Sequence, residues 1–202
     1  MTATDTPTAE PDGGGQRRGF GVDVGGSGVK GGIVDLDTGQ LVGERYKLDT
    51  PQPSTPEAVA DAAGLAEERF GAGKDNSGVI VLLTFGTGIG SAVIHNGVLL
   101  PNTEFGHLEV DGKEAEHRAA SSIKERKGWS YERWTKEVTK VLVTIENAIW
   151  PDLFIAGGGI SRKADKWLPM LENRTPVVGA ALRNTAGIVG AAMAADAKAT
   201  AQ

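Results

Sequence analysis

The chain has no cysteine among its 202 residues, which excludes disulfides and thiolate metal sites outright. Aromatic residues are scarce, at 5%, a poor basis for an aromatic-rich β-sandwich. Basic residues are the minority, 21 Lys and Arg against 26 Asp and Glu for a net charge of −5. Nucleic acid is therefore not expected as the main partner, although a local basic patch could still hold a polyanion. No apolar run suits a signal peptide or a transmembrane span, so a cytoplasmic protein with no membrane partner is expected. What the chain has in quantity is glycine, 29 residues, with 40% hydrophobic and 23% charged residues. That balance suits α/β layers joined by tight glycine turns. The length allows one ordinary domain or two small lobes sharing a cleft.

Residues 1–18 are rich in Thr, Pro, Asp and Gly and carry no apolar core; they read as a disordered leader, with Arg17 and Arg18 as solvated flanking charges. From Gly19, three strands separated by Gly25-Gly26-Ser27-Gly28 and Asp37-Thr38-Gly39 predict an antiparallel meander ending near Leu48. Three prolines make 49–56 irregular. Thr55-Pro56-Glu57 is a helix start, and the helix runs to Phe70 with Val59, Ala62, Ala63, Ala66 and Phe70 on one face. Val79 to Phe85 is an apolar strand, and Asn96-Gly97 marks a hairpin. Glu114 to Lys127 is a polar helix; Tyr131 to Trp150 is amphipathic, with Trp134, Val138, Val141, Leu142, Ile145 and Ile149 in a stripe. Leu153 to Ala156 is a buried strand, Gly157-Gly158-Gly159 opens a further helix, and Pro176 to Val178 is a short strand. A last helix covers 186–195, and 196–202 fray.

Two glycine turns follow apolar strands: Asp23-Val-Gly25-Gly26-Ser27-Gly28 and Thr84-Phe-Gly86-Thr87-Gly88-Ile-Gly90. A phosphate needs close backbone approach and several N–H donors, which turns free of side chains supply without a clash. Ser27 and Thr87 add hydroxyl donors, and Asp23 could hold a water-bound Mg²⁺ over the phosphates. One such turn is as readily a plain hairpin; two, with Gly157–Gly159 at a helix start, point to phosphate.

Those two loops resemble the phosphate loops of the superfamily of actin, hexokinase and the heat-shock chaperone ATPases, and Leu153 to Ser161 is similar to its adenosine loop. Pro101-Asn-Thr-Glu104-Phe-Gly-His107-Leu-Glu-Val-Asp-Gly-Lys113 closely resembles the ROK family of repressors and sugar kinases. Within that family the best match is the actinobacterial branch of polyphosphate/ATP glucokinases. Glu116-His-Arg-Ala-Ala120 and the stretch from Pro176 to Gly190 fit that branch too. The resemblance implies an α/β, actin-like (ribonuclease H-like) two-lobed fold. The lobes would be 19–78, with the first phosphate loop, and 79–195, with the second phosphate loop, the sugar loop and the adenosine loop.

It further implies glucose as acceptor, polyphosphate or ATP as donor with donor-bound Mg²⁺, and a homodimer. Glu104, His107 and Glu116 would be the sugar ligands, a chemistry that suits carboxylates and imidazole facing hydroxyls. Gly157, Gly158 and Gly159 would meet the nucleotide. His95 and His117 are left as surface residues. Many family members carry a cysteine zinc knuckle, which the polyphosphate branch lacks, so no zinc is expected. Lys124, Arg126 and Lys127, with Arg162, Lys163 and Lys166, are either solvated charges or a hold for a polyanionic donor.

One departure stands out. After the proline segment the family continues with a helix, a strand, a Gly-x-Pro-Gly loop, a sugar-contacting Asn and an Asn-Asp-x-Asp turn whose first Asp is the catalytic base. Here Ala60 passes directly into Asp61. Roughly sixty residues are missing, judged from the size of a two-lobed kinase, so the first lobe is incomplete. Asp61 matches the second Asp of the turn and is only a weak candidate for the base. The expected function is glucose phosphorylation with activity in doubt, against a non-catalytic sugar- or phosphate-binding remnant or inactive dimer partner. A repressor reading lacks a DNA-binding helix-turn-helix. Loss of the covering strands would expose the apolar face of the meander.

Overall fold

The structure, a computed structural model, describes residues 17–25, 28–48, 57–182, 185, 188–189 and 192–193. Three strands, β1 (Arg18–Gly25), β2 (Gly28–Asp35) and β3 (Leu41–Leu48), form the expected antiparallel meander, with a bulge in the β2–β3 register between Gly31 and Ile33. α1 (Glu57–Phe70) follows. β4 (Val79–Phe85), β5 (Ile89–His95) and β6 (Val98–Leu100) then make a second meander. Asn96 and Gly97, at φ 49° and 79°, turn the β5–β6 hairpin.

The hairpin β7 (Glu109–Val110) and β8 (Lys113–Glu114) leads into α2 (Ala115–Ala119), α3 (Ser121–Arg126) and α4 (Tyr131–Ile149). β9 (Leu153–Gly157) and β10 (Val177–Gly179) complete a five-stranded sheet in the order β10-β9-β4-β5-β6. The β10–β9–β4 part is parallel and the rest antiparallel. Among the described residues no helix is long and apolar enough to cross a membrane.

The apolar run of β4 is explained by burial on both faces. Val81, Leu83 and Phe85 point into a core with Trp134, Val138, Val141, Leu142 and Ile145 of α4. Ile80 and Leu82 point to the opposite core, where Ala60, Ala63 and Ala66 of α1 meet Ile155, Ile188 and Ala192. Val34 and Leu36 join that second core and tie the first sheet to it. The stripe expected on α4 is the one buried, apart from exposed Ile149.

The structure bears on four expectations. On the face expected of α1, Ala63 and Ala66 are buried, Phe70 packs against the same core and Ala62 is half-buried, while Ala60 and Glu67 join the buried line; the Val59 side chain lies outside the described residues. The single helix expected over Glu114–Lys127 is two, broken at Ala120 (ψ 147°), which redirects Ser121 and Ser122 toward the β4–β5 turn. Gly159–Lys166 is 3₁₀ with a kink at Lys163 instead of an α-helix. Its i→i−3 bonds, such as Ser161 N to Gly158 O, close it locally. Among the described side chains of the first meander, Phe20 and Ile33, cross-strand partners, are exposed as expected of an uncovered apolar face, while Val34 and Leu36 are buried. The expected last helix falls largely outside the described residues, as do the leader and the tail; Ile188–Val189 and Ala192–Met193 are helical.

Candidate active site

β4 and β9 run side by side in parallel, with Thr84 opposite Gly157. The loops Gly86–Gly88 and Gly157–Gly159 therefore leave adjacent strand ends, the edge at which open α/β sheets bind ligands. Phe85, Trp134 and Trp167 floor this edge in mutual edge-to-face contact, with centroids 4.9–5.9 Å apart. Gly158 has φ +82°, and a Cβ there would run into the Phe85 backbone, so the fold itself requires glycine. Gly86 and Gly159 border open space. No packing within the described protein explains their missing side chains, while a ligand approaching the backbone would.

The carbonyls of the second glycine loop are turned toward α3. Ser121 Oγ donates to Phe85 O and Gly86 O at 3.2 and 3.1 Å, Ser122 N donates to Gly86 O at 3.1 Å, and Ser122 Oγ donates to Thr87 O at 2.8 Å. Thr84 Oγ1 donates to Gly90 O at 3.4 Å, and the Thr87 side chain is exposed. In the first glycine loop Asp23 and Gly25 lie opposite Lys30 and Gly28 across the β1–β2 pair. Gly26 and Ser27 lie outside the described residues, and for Asp23 the backbone alone is described.

The sugar-loop candidates sit beside this edge. Ser91 Oγ on β5 donates to Thr103 O (2.5 Å) and accepts from Phe105 N (2.9 Å), pinning the 3₁₀ turn Phe105–His107. α2 is anchored from below. Arg118 donates to Val110 O (3.1 Å), to Asp111 O (3.2 Å) and to Glu137, while Trp134 Nε1 donates to Ala119 O (2.9 Å). So held, α2 aims the Glu116 carboxylate at Gly88, where its Oε2 occupies the space a Cβ would need.

Glu114 lies between two imidazoles, 3.7 Å from His107 Nδ1 and 3.2 Å from His117 Nδ1, and His117 Nε2 is 3.8 Å from Glu116. His107 and Glu116, expected together, are together. His107, Glu114 and Glu116 have ligand atoms within 4.8 Å of one another, a set able to hold a divalent cation. Glu104 starts the same turn; its side chain is exposed and its carbonyl accepts from His107 N at 3.1 Å. Sequence reading passed over Glu114 and left His117 as a surface residue. The pairing of an acid and a histidine three apart at the head of a short helix was the available signal.

Asp61 is half-buried within α1, and burial pushes its carboxyl up. No hydrogen bond or ion pair described here joins it to the sugar or phosphate loops. Around α3, Lys124 Nζ stands 4.3 Å over Tyr131, and Lys127 Nζ and Arg133 stand 4.5 and 4.6 Å over Trp129. Lys163 and Lys166 are exposed on the 3₁₀ segment.

No family model matches the chain. It is 57% identical to the polyphosphate glucokinase of Mycobacterium tuberculosis over 264 positions, covering 99% of this chain and all of that protein. An alignment of that length over 202 residues includes at least 62 positions (264 less 202) at which this chain has no residue. The crystal structure of the inorganic polyphosphate/ATP-glucomannokinase of Arthrobacter sp. strain KM superposes with a TM-score of 0.83 at 38% identity, over 90% of this chain and 99% of that one. A ROK-family glucokinase from Streptomyces griseus, solved with glucose and AMPPNP, shares the fold at a TM-score of 0.72 and 18% identity, over 88% and 99% of the two chains. By identity and coverage, this chain belongs to the polyphosphate glucokinase family and is built on the actin-like fold of the ROK sugar kinases.

Proposed function

We propose that the chain binds glucose through Glu104, His107 and Glu116 and a polyphosphate or ATP donor through its glycine loops, for transfer of the terminal phosphoryl group to the sugar's 6-hydroxyl. The observation that carries this reading is the contact of Glu116 with Gly88, which sets a sugar ligand directly against a phosphate loop. Such juxtaposition is most of what phosphoryl transfer asks of a protein, since the chemistry is positioning and charge stabilisation. Thr84, Gly86, Thr87 and Gly88 would cradle the donor, joined by Asp23, Gly25, Gly26 and Ser27 of the first loop. Gly157, Gly158 and Gly159 would meet the nucleotide when ATP is the donor. Asp23 would hold the Mg²⁺ that comes with the donor, and the ion would supply charge neutralisation at the donor's oxygens. Lys124, Lys127 and Arg133, stacked on aromatic rings next to the loop that Ser122 grips, suit a longer polyanion.

A cytoplasmic homodimer with lobes 19–78 and 79–195 completes the proposal. A second reading has its own support. α1 runs unbroken through Ala60–Asp61, where the family's catalytic-base segment would stand, and this favours a chain that binds without transferring. Calorimetry with glucose and a coupled glucose 6-phosphate assay with ATP and with polyphosphate test both. Binding with turnover at least 10²-fold below an intact glucokinase is expected, the usual contribution of a general base. Turnover equal to the intact enzyme would refute the missing-base argument, and absence of glucose binding would refute the site.

A further inference from the structure

Serine is a favoured helix cap, and Ser121 and Ser122 stand at the start of α3. The N-cap of that helix is nonetheless Ala120. Both serine hydroxyls leave the helix instead for carbonyls 35 or 36 residues earlier in the chain. We propose that Ser122, with Ser121, is a positioning residue of the second glycine loop, holding its carbonyls so that the N–H groups of Thr87 and Gly88 face the phosphoryl donor. The proposal rests on the phosphate-loop reading above.

The Gly86 carbonyl accepts from Ser121 Oγ and from Ser122 N, each at 3.1 Å, and the Thr87 carbonyl accepts from Ser122 Oγ at 2.8 Å. In a trans peptide the N–H points opposite to the C=O. With both carbonyls turned to α3, the N–H groups of the same peptide units, Thr87 N and Gly88 N, are turned to the other side of the loop. Gly86 N is taken up by Gly88 O at 2.9 Å, whereas Thr87 N and Gly88 N make no hydrogen bond among the described residues. Successive N–H groups on one side of a turn form a concavity that suits an anion, and position 86 borders open space.

The grip is needed because both peptide units adjoin glycine. Gly86 and Gly88 carry no Cβ to restrict rotation, so a unit left unheld can turn over and present a carbonyl oxygen to the donor's negative charge. Ordering such a loop only on binding weakens affinity. The Ser122 N–H bond is made by any residue at that position except proline; the two hydroxyls are the part that the side chains contribute.

The test is calorimetric binding of Mg²⁺-AMPPNP, of tripolyphosphate and of glucose to the full chain. The double variant Ser121→Ala, Ser122→Ala should raise the Kd of both donors about tenfold, the size of one net hydrogen bond, and leave that of glucose unchanged. Ser122→Thr, which keeps the hydroxyl, should bind the donors as wild type does. Ser122→Ala alone, with a rise of about fourfold expected, serves if the double variant does not fold. Donor affinity unchanged in the Ala variants, or donor and glucose affinity lost in equal measure, overturns the proposal alone. Failure of wild type to bind either donor overturns the phosphate-loop reading together with it.

Discussion

Glu116 and Gly88 are in contact: the Glu116 carboxylate fills the volume where any other residue at position 88 would carry its Cβ. A residue of the candidate sugar site and a residue of the candidate phosphate loop therefore exclude each other's growth. The relationship depends on α2, five residues long, held by Arg118 and Trp134 so that its first turn faces the β4–β5 loop.

Gly88→Ala should consequently displace a flexible carboxylate instead of backbone. Glucose affinity is expected to fall about tenfold, worth ~1.4 kcal/mol, with the melting temperature little changed. Gly158→Ala is the contrasting case, because its Cβ would strike the Phe85 backbone at a φ of +82°. It should lower stability by about 1–3 kcal/mol. Calorimetry and thermal melts of the pair separate the two effects, and equal loss of stability in both would contradict the assignment.

Insertion of a family catalytic-base segment at the expected Ala60–Asp61 junction should raise turnover by about 10²-fold or more, as restoration of a general base would. The coupled glucose 6-phosphate assay reads this directly. A chimera that folds cooperatively without gaining activity would place the defect elsewhere.

Asp61→Ala should leave residual turnover unchanged and raise stability slightly at neutral pH. Burial raises the Asp61 carboxyl, so its ionised form disfavours the folded state above the ordinary carboxylate range, and removing it relieves that cost. Loss of residual turnover would instead make Asp61 the base.

Glu146 supplies a pH dependence. Burial alone would raise its carboxyl, but bonds from Thr175 N (2.5 Å), Asn173 Nδ2 (3.1 Å) and Arg174 N (3.3 Å) outweigh that and hold it below the usual 4.5. A lowered folded value means the contribution is present above about pH 4.5 and is lost as pH falls through the folded value. Glu146→Gln should therefore cost on the order of 1–3 kcal/mol at pH 7 and flatten the acid side of the stability profile. Denaturant melts between pH 3 and 7 measure it; an unchanged acid slope would assign that slope to other carboxylates.

Much of the fold was legible locally. The continuous apolar run of β4 and the stripe of α4 follow from two-sided sheet burial and helical period, which are properties of neighbouring residues. The breaks were less legible. Ala120 and the 3₁₀ course of Gly159–Lys166 depend on what lies across the chain: Ser121 and Ser122 reach carbonyls at positions 85–87, and Gly158 reaches the Phe85 backbone. Glu67 shows the same limit. A helical acid in sequence, it is buried and accepts bonds from Ala72 N, Ala181 N and Leu182 N, a role set by a loop more than a hundred residues away.

Residue type and spacing by themselves determined the family, through the Glu104–Lys113 loop and the glycine turns, because those stretches are contiguous and read without folding. They also raised the expectation of a missing segment at Ala60–Asp61, since a missing segment is a property of the chain and not of its packing. Tertiary structure alone decided that Glu114 and His117 lie near His107 and Glu116, and that Glu116 rests on Gly88. Those contacts are made between β7–β8, α2 and the β4–β5 loop, and only the anchoring of α2 on the five-stranded core brings them within reach of one another.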